Sequence, residues 1–131
     1  QWKWENVLVP GTHASTFGGT PLACAAALAV FEAIEESDLL FNCRKMGEHL
    51  RGALVKLTND HQKLKDVRGM GLMLGIVADE AVPPVLAAAR SKGLLILPAG
   101  PNIIRLLPPL NVSQEDIDQA VAIVSESLEV L

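Results

Sequence analysis

The most constraining stretch of this 131-residue sequence is an apolar, alanine-rich run from Leu22 to Ile34. Such a run predicts a helix that packs on more than one side. Pro21 fits the first turn of this helix because no amide donor is required there. Glu32, Glu35 and Glu36 interrupt the run before it reaches the roughly 20 apolar residues that span a bilayer. We therefore expect a soluble protein without a membrane partner.

The composition excludes several further classes of protein. Half of the residues are hydrophobic, and the length allows one compact domain. Fifteen acidic and 11 basic residues give a net charge of −4 and form no basic block, which argues against nucleic acid as a partner. Cys24 and Cys43 lie in helical patterns, and no cysteines or histidines have metal-ligand spacing. We expect no disulfide, no metal site and a cytoplasmic location.

The rest of the chain alternates between helical and strand patterns. Further helices are predicted over about 38–57, over about 84–92 with Gly93 at the end, and from a capping box at Ser113 and Asp116 onward. Strands are predicted over 67–77, 94–97 and 103–107. The order helix, helix, strand, helix, strand, strand, helix predicts an α+β fold, an α/β sandwich in which helices cover one face of a small sheet.

Two hydroxyl groups and a glycine pair precede the apolar helix. Ser15 and Thr16 are followed by Gly18 and Gly19. Hydroxyls and unpaired amides near a helix N-terminus suit an anion such as phosphate. The same residues also suit an ordinary capping turn, in which Thr20 caps the helix and the glycines supply unusual dihedral angles. The residues alone leave both interpretations open.

Arg105 lies in the middle of an apolar predicted strand. A guanidinium among such neighbours requires an acceptor for its fork of hydrogen bonds, and a substrate carboxylate would serve. Strand alternation alone would equally place Arg105 on the polar side of a half-exposed strand. Arg68 adjoins a glycine bend, and we expect it to form a structural ion pair. The lysines lie mostly in charged surface patterns, so none is predicted to form a Schiff base.

Four segments resemble, in order and spacing, the C-terminal part of class III, pyridoxal-phosphate-dependent aminotransferases. They are GTHASTFGGTPLACAAALAV, VRGMGLMLGI, GLLILPAGPNIIRLLPPL and SQEDIDQAV. Within that class, they are most similar to the acetylornithine aminotransferases. The resemblance implies that residues 1–20 belong to the large domain and the dimer interface, and that residues 21–131 form the C-terminal small domain of a fold type I transferase.

The resemblance also implies site roles. Thr16 is expected to bind the phosphate of pyridoxal phosphate (PLP) in the neighbouring subunit, and Ser15 is expected to lie against the substrate. Arg105 corresponds to the arginine that binds the carboxylate of the amino-acid or oxo-acid substrate. The family's Schiff-base lysine and most other cofactor contacts correspond to positions upstream of Gln1. No catalytic residue is therefore assigned within the chain.

By the same resemblance, the full-length protein is expected to be a cytoplasmic homodimer with shared active sites. It would transfer the δ-amino group of N2-acetylornithine to 2-oxoglutarate in arginine biosynthesis, and the 131 residues alone would be inactive. Two alternatives stay open. One is another class III aminotransferase, acting on ornithine or 4-aminobutyrate, and the other is a non-enzymatic small α/β domain that binds a carboxylate or a partner helix.

Overall fold

A computed structural model of the chain describes Val9 and residues 11–131. The described residues form two compact units, one ending at Ser37 and the other comprising Asp38–Leu131. The boundary predicted between residues 20 and 21 therefore lies inside the first unit. The assignment of residues 1–20 and 21–131 to two domains of a longer protein stays a prediction.

The first unit contains the predicted apolar helix, α1 (Pro21–Glu36). Thr20 is its N-cap: the Thr20 hydroxyl accepts a hydrogen bond from the Ala23 amide at 3.4 Å, and Pro21 lies in the first turn. None of the α1 residues is buried, and the Leu22 side chain is 82% exposed. The expected packing of this helix on several sides is therefore not provided by its own unit.

The second unit holds three helices, a four-stranded sheet and a final 3₁₀ turn. In chain order the elements are α2 (Leu39–Asp60), β1 (Leu64–Met70), β2 (Met73–Ala78), α3 (Pro83–Ser91), β3 (Leu97–Pro98), β4 (Ile103–Leu106), α4 (Gln114–Ser127) and the turn Leu128–Val130. The capping box predicted for the last helix is confirmed, with the Asp116 amide donating to Ser113 Oγ at 3.1 Å.

Two of the predicted strands differ from the structure. The single strand predicted over 67–77 is wrong, because Gly71 and Leu72 form a tight turn that makes the segment an antiparallel hairpin, and Gly71 has a positive φ of 55°. The strand predicted over 94–97 begins only at Leu97. Leu94 instead closes α3, since its amide donates to the Ala89 carbonyl after Gly93 in a Schellman arrangement.

The sheet has the order β1-β2-β4-β3, and all neighbouring strands are antiparallel. The register aligns Val67, Ile76 and Ile104 on one face, and all three are buried. Helix α2 packs against β1 and β2, while α4 packs against α2 and α3. Helices therefore cover one face of the sheet, as predicted. We call the other face, which carries Arg68, Gly75 and Arg105, the open face.

Helix α2 approaches the hairpin turn closely at Gly47. A Cβ atom added to Gly47 would lie 2.6 Å from the carbonyl carbon of Gly71. Backbone atoms cannot yield as a flexible side chain can, so the contact requires glycine at this position. Met46 and Leu50 of the same helix are buried in the core. The hairpin can therefore pack this closely on α2 only because Gly47 has no side chain.

Side chains of α2 also bind backbone groups that would otherwise lack partners. Arg51 donates to the Val67 carbonyl at 3.1 Å and to the Gly69 carbonyl, both on the edge strand β1. Asn42 Nδ2 donates to the carbonyl oxygens of Leu110 and Val112, at 2.7 and 3.1 Å. These contacts fix the edge of the sheet and the segment that leads into α4.

Two glycines of α2 provide a matched test of this packing. We expect Gly47→Ala to lower the free energy of unfolding by about 1–3 kcal/mol, because the added methyl group overpacks the hairpin turn. No atom lies within 4 Å of a Cβ added at Gly52, so Gly52→Ala should raise stability by up to about 1 kcal/mol through helix propensity. Urea unfolding followed by circular dichroism measures both. Equal effects of the two substitutions would contradict the close approach at Gly47.

Candidate functional site

The first candidate residues, Ser15 and Thr16, lie in the turn before α1. The Gly18 amide donates to Ser15 Oγ at 2.9 Å, and a Cβ added at Gly18 would lie 2.9 Å from that oxygen. Gly19 has a positive φ of 76°, which favours glycine. Gly18 and Gly19 therefore allow the turn to close around the Ser15 side chain. Because the Ser15 hydroxyl is the acceptor in this hydrogen bond, its own proton is available for donation.

Thr16 and Thr20 play different parts in this turn. Thr20 is used structurally, because its hydroxyl donates to the Phe17 carbonyl at 3.1 Å and accepts from the amide of Ala23. The Thr16 side chain is exposed, and its hydroxyl has no hydrogen-bond partner among the described residues. The capping interpretation thus accounts for Thr20 and leaves Thr16 with a free donor next to a helix N-terminus.

Arg105 lies in the second unit, on the open face of the sheet. In the register it is paired with Gly75 on β2 and with Leu97 on β3, while its neighbours Ile104 and Leu106 point into the core. The side chain is half-buried, yet its guanidinium makes no hydrogen bond or ion pair with Val9 or residues 11–131. Alternation therefore places Arg105 away from the core, and its donors are available to a carboxylate.

Arg68 lies in the same row of the open face, where the register pairs it with Gly75. Arg68 Nε donates to Asp66 Oδ2 at 3.0 Å, so the predicted ion pair is confirmed. This hydrogen bond is the main cause of a lowered pKa of the Asp66 carboxyl, and the nearby Arg51 charge contributes. Both side chains of the pair are more than half exposed.

Other ionisable groups of the second unit form ion pairs on its surface. Lys65 pairs with Asp79 at 2.6 Å and Lys92 with Glu126 at 2.7 Å.

In the described part of the chain, no three His, Cys, Asp or Glu side chains are placed to hold a metal ion. Across the same residues, no helix is both long enough and apolar enough to cross a membrane.

The predicted site residues fall in both units. Ser15 and Thr16 share one turn of the first unit, and Arg105 lies on the sheet of the second. Sequence reasoning missed that Arg68 and Arg105 occupy one row with Gly75 between them. The turn at Gly71 was the signal that could have revealed this row, because it sets the pairing of β1 with β2.

Comparison with known proteins extends over almost the whole chain. Residues 2–128 match the family described as aminotransferase class-III. The acetylornithine aminotransferase of Synechocystis is 46% identical over 98% of this chain and 31% of its own length. Acetylornithine aminotransferase 1 of Bordetella bronchiseptica is 47% identical over 90% of this chain and 30% of its own length. The chain thus spans about a third of the length of these relatives.

Solved structures agree with the sequence relatives. The crystal structure of acetylornithine aminotransferase from Elizabethkingia anophelis is similar with a TM-score of 0.81 and 34% identity, over 95% of this chain and 34% of that protein. A Bacillus anthracis aminotransferase is similar over the full chain and 32% of its own, with a TM-score of 0.84 and 32% identity. The α+β arrangement and the sequence lead to the same assignment: the chain belongs to the class III aminotransferase family.

Proposed function

We propose that this chain is the C-terminal part of a PLP-dependent acetylornithine aminotransferase. The full-length enzyme transfers the δ-amino group of N2-acetylornithine to 2-oxoglutarate, a step of arginine biosynthesis, and works in the cytoplasm as a homodimer. The observation that carries the proposal is the Arg105 guanidinium on the open face of the sheet, which has no partner among the described residues. The relatives that match at 46% and 47% identity support acetylornithine as the amino donor.

Arg105 is suited to hold the carboxylate of an amino acid or an oxo acid. Its planar guanidinium offers two parallel donors, which match the two oxygens of a carboxylate. Strand β4 lies between β2 and β3, and buried residues on either side of Arg105 fix the backbone. Because the strand is held on both edges, Arg105 can orient its ligand as well as bind it.

The turn that carries Ser15 and Thr16 fits the phosphate of PLP. A phosphate needs several hydrogen-bond donors, and the exposed Thr16 hydroxyl supplies one beside the positive end of the α1 dipole. Thr20 already caps α1, so binding through Thr16 does not compete with the helix. When bound, PLP provides the electron sink that amino-group transfer requires. Ser15, held by the Gly18 amide, can donate its proton to the substrate.

A shared site in a homodimer accounts for the character of α1. An apolar helix without buried residues leaves a large apolar surface that a folded protein normally covers. In the proposed dimer this helix is buried, and Thr16 binds the cofactor of the neighbouring subunit.

An ornithine aminotransferase from Toxoplasma gondii is also similar in structure, at 29% identity, but the acetylornithine enzymes match more closely in sequence.

Removing the Arg105 guanidinium should weaken substrate binding while PLP binding is kept. In the full-length enzyme, we expect Arg105→Gln to lower kcat/KM for 2-oxoglutarate by about 100-fold, because a charge-assisted bidentate contact is lost. Arg105→Lys should restore part of the loss, since it keeps the charge without the fork. Steady-state kinetics measures both variants, and PLP absorbance provides the control. Unchanged kinetics in Arg105→Gln would contradict the assigned role.

Removing the Thr16 hydroxyl should weaken the binding of PLP, which the Arg105 substitutions are expected to leave unchanged. We expect Thr16→Val to weaken PLP binding by about tenfold or more, because one hydrogen bond to a charged phosphate is lost. Thr16→Ser keeps the hydroxyl and should bind PLP like the unmodified enzyme. Titration of the apoenzyme with PLP, followed by fluorescence, gives the dissociation constants. Equal constants for the valine and serine variants would exclude Thr16 as a phosphate ligand.

The 131 residues by themselves should not transaminate. The family's Schiff-base lysine has no counterpart among the segments that match, and Lys63, Lys65 and Lys92 are engaged in surface ion pairs. We expect no glutamate from the purified chain incubated with N2-acetylornithine, 2-oxoglutarate and PLP. The full-length enzyme in the same assay is the positive control, and turnover by the chain alone would contradict this expectation.

A further inference from the structure

Arg105 shares the open face of the sheet with a carboxylate of its own chain, that of Asp66. The register pairs Asp66 with Val77 and Val77 with Ile103, the residue two positions before Arg105 on β4. Paired residues project from the same face, so Asp66 and Arg105 extend from the open face two strands and two residues apart. Their Cα atoms are therefore about 12 Å apart, a span that an arginine and an aspartate side chain can close from the two ends.

The Asp66 carboxylate is chemically able to bind Arg105. Its two oxygens each accept one hydrogen bond, from the Val67 amide and from Arg68 Nε, which leaves further acceptor capacity on both. The hydrogen bond from Arg68 lowers the pKa of Asp66, so this carboxyl is ionised at neutral pH, and exposed pairs of this kind are easily exchanged. The structure describes both Asp66 and Arg105, yet no hydrogen bond or ion pair joins them. Their separation requires a physical cause.

The half-buried side chain of Ile103 lies between these two groups. A Cβ atom added at Gly75 would lie 2.9 Å from Ile103 Cγ2, so this methyl group covers Gly75 diagonally across the strand boundary between β4 and β2. Gly75 is also the register partner of Arg105. The Ile103 methyl group therefore lies across the route that the Arg105 side chain would take over β2 toward Asp66.

We propose that Ile103 is a positioning residue that keeps the Arg105 guanidinium from pairing with Asp66 and so leaves it available to the substrate. Gly75 contributes by having no side chain, which gives Ile103 room over β2. An Arg105 side chain captured by Asp66 cannot bind a substrate carboxylate, so the apparent affinity for substrate falls with the fraction of molecules in which Arg105 is free. This inference rests on the proposed function, because it assumes that Arg105 holds a substrate carboxylate.

Steady-state kinetics of Ile103→Ala in the full-length enzyme tests this inference. We expect KM for 2-oxoglutarate to rise about tenfold while kcat stays within about twofold, which corresponds to Arg105 being free in about one molecule in ten. Asp66→Asn in the same background removes the competing charge and should restore KM, whereas Asp66→Asn alone should leave KM unchanged. Ile103→Val keeps the methyl group over β2 and should also keep KM. The matched control is Asp79→Asn in the Ile103→Ala background, which removes an exposed carboxylate beyond the end of β2 and should not restore KM.

The rescue by Asp66→Asn separates a positioning role from a merely structural one, because lost packing at Ile103 is not repaired by removing a charge two strands away. An unchanged KM in Ile103→Ala, or a rise that Asp66→Asn does not reverse, overturns the inference, while the role of Arg105 still stands on the effect of Arg105→Gln. If Arg105→Gln leaves the kinetics unchanged, the proposed role of Arg105 fails and this inference fails with it. Should Ile103→Ala not fold, Ile103→Cys removes only one branch of the side chain and is judged by the same rescue.

Discussion

The antiparallel pairing of β2 with both β1 and β4 determines the rest of the second unit. Strand alternation within this pairing directs Ile76 and Ile104 into the core and leaves Gly75 and Arg105 on the open face. A slip of one residue would exchange the two faces and bury a guanidinium without an acceptor. The burial of the apolar face and the availability of Arg105 are therefore consequences of one register.

The register is fixed at the hairpin turn, where α2 contacts the backbone. Gly47 allows α2 to reach Gly71, and Leu72 within the turn is buried rather than exposed. Arg51 then binds the outer carbonyls of β1, so the same helix holds the turn and the free edge of the sheet. Because one helix supports both the turn and the edge, the open face that carries Arg105 is held in a defined shape by the protein itself, which would favour the carboxylate binding that we propose.

Local patterns made much of this fold predictable. Helix α4 and its capping box at Ser113 follow from contacts between residues close in sequence, and Gly93 marks the end of α3 for the same reason. The hairpin was missed because apolar residues surround Gly71: Leu72 packs into the core, so the turn lacks the polar residues that usually mark one. The row of Arg68 and Arg105 depends on that turn and was missed with it.

The turn before α1 shows why residue chemistry alone could not separate the two interpretations of the candidate site. A helix cap and a phosphate contact both use hydroxyl groups, so only the hydrogen bonds in the structure distinguish them. The Thr20 hydroxyl caps the helix and the Ser15 hydroxyl accepts a hydrogen bond within the turn, whereas the Thr16 hydroxyl does neither. A polar turn joined to an unburied apolar helix is costly for an isolated domain. In the homodimer that we propose, burial of α1 would remove this cost and would also bring the Thr16 hydroxyl against the neighbouring subunit.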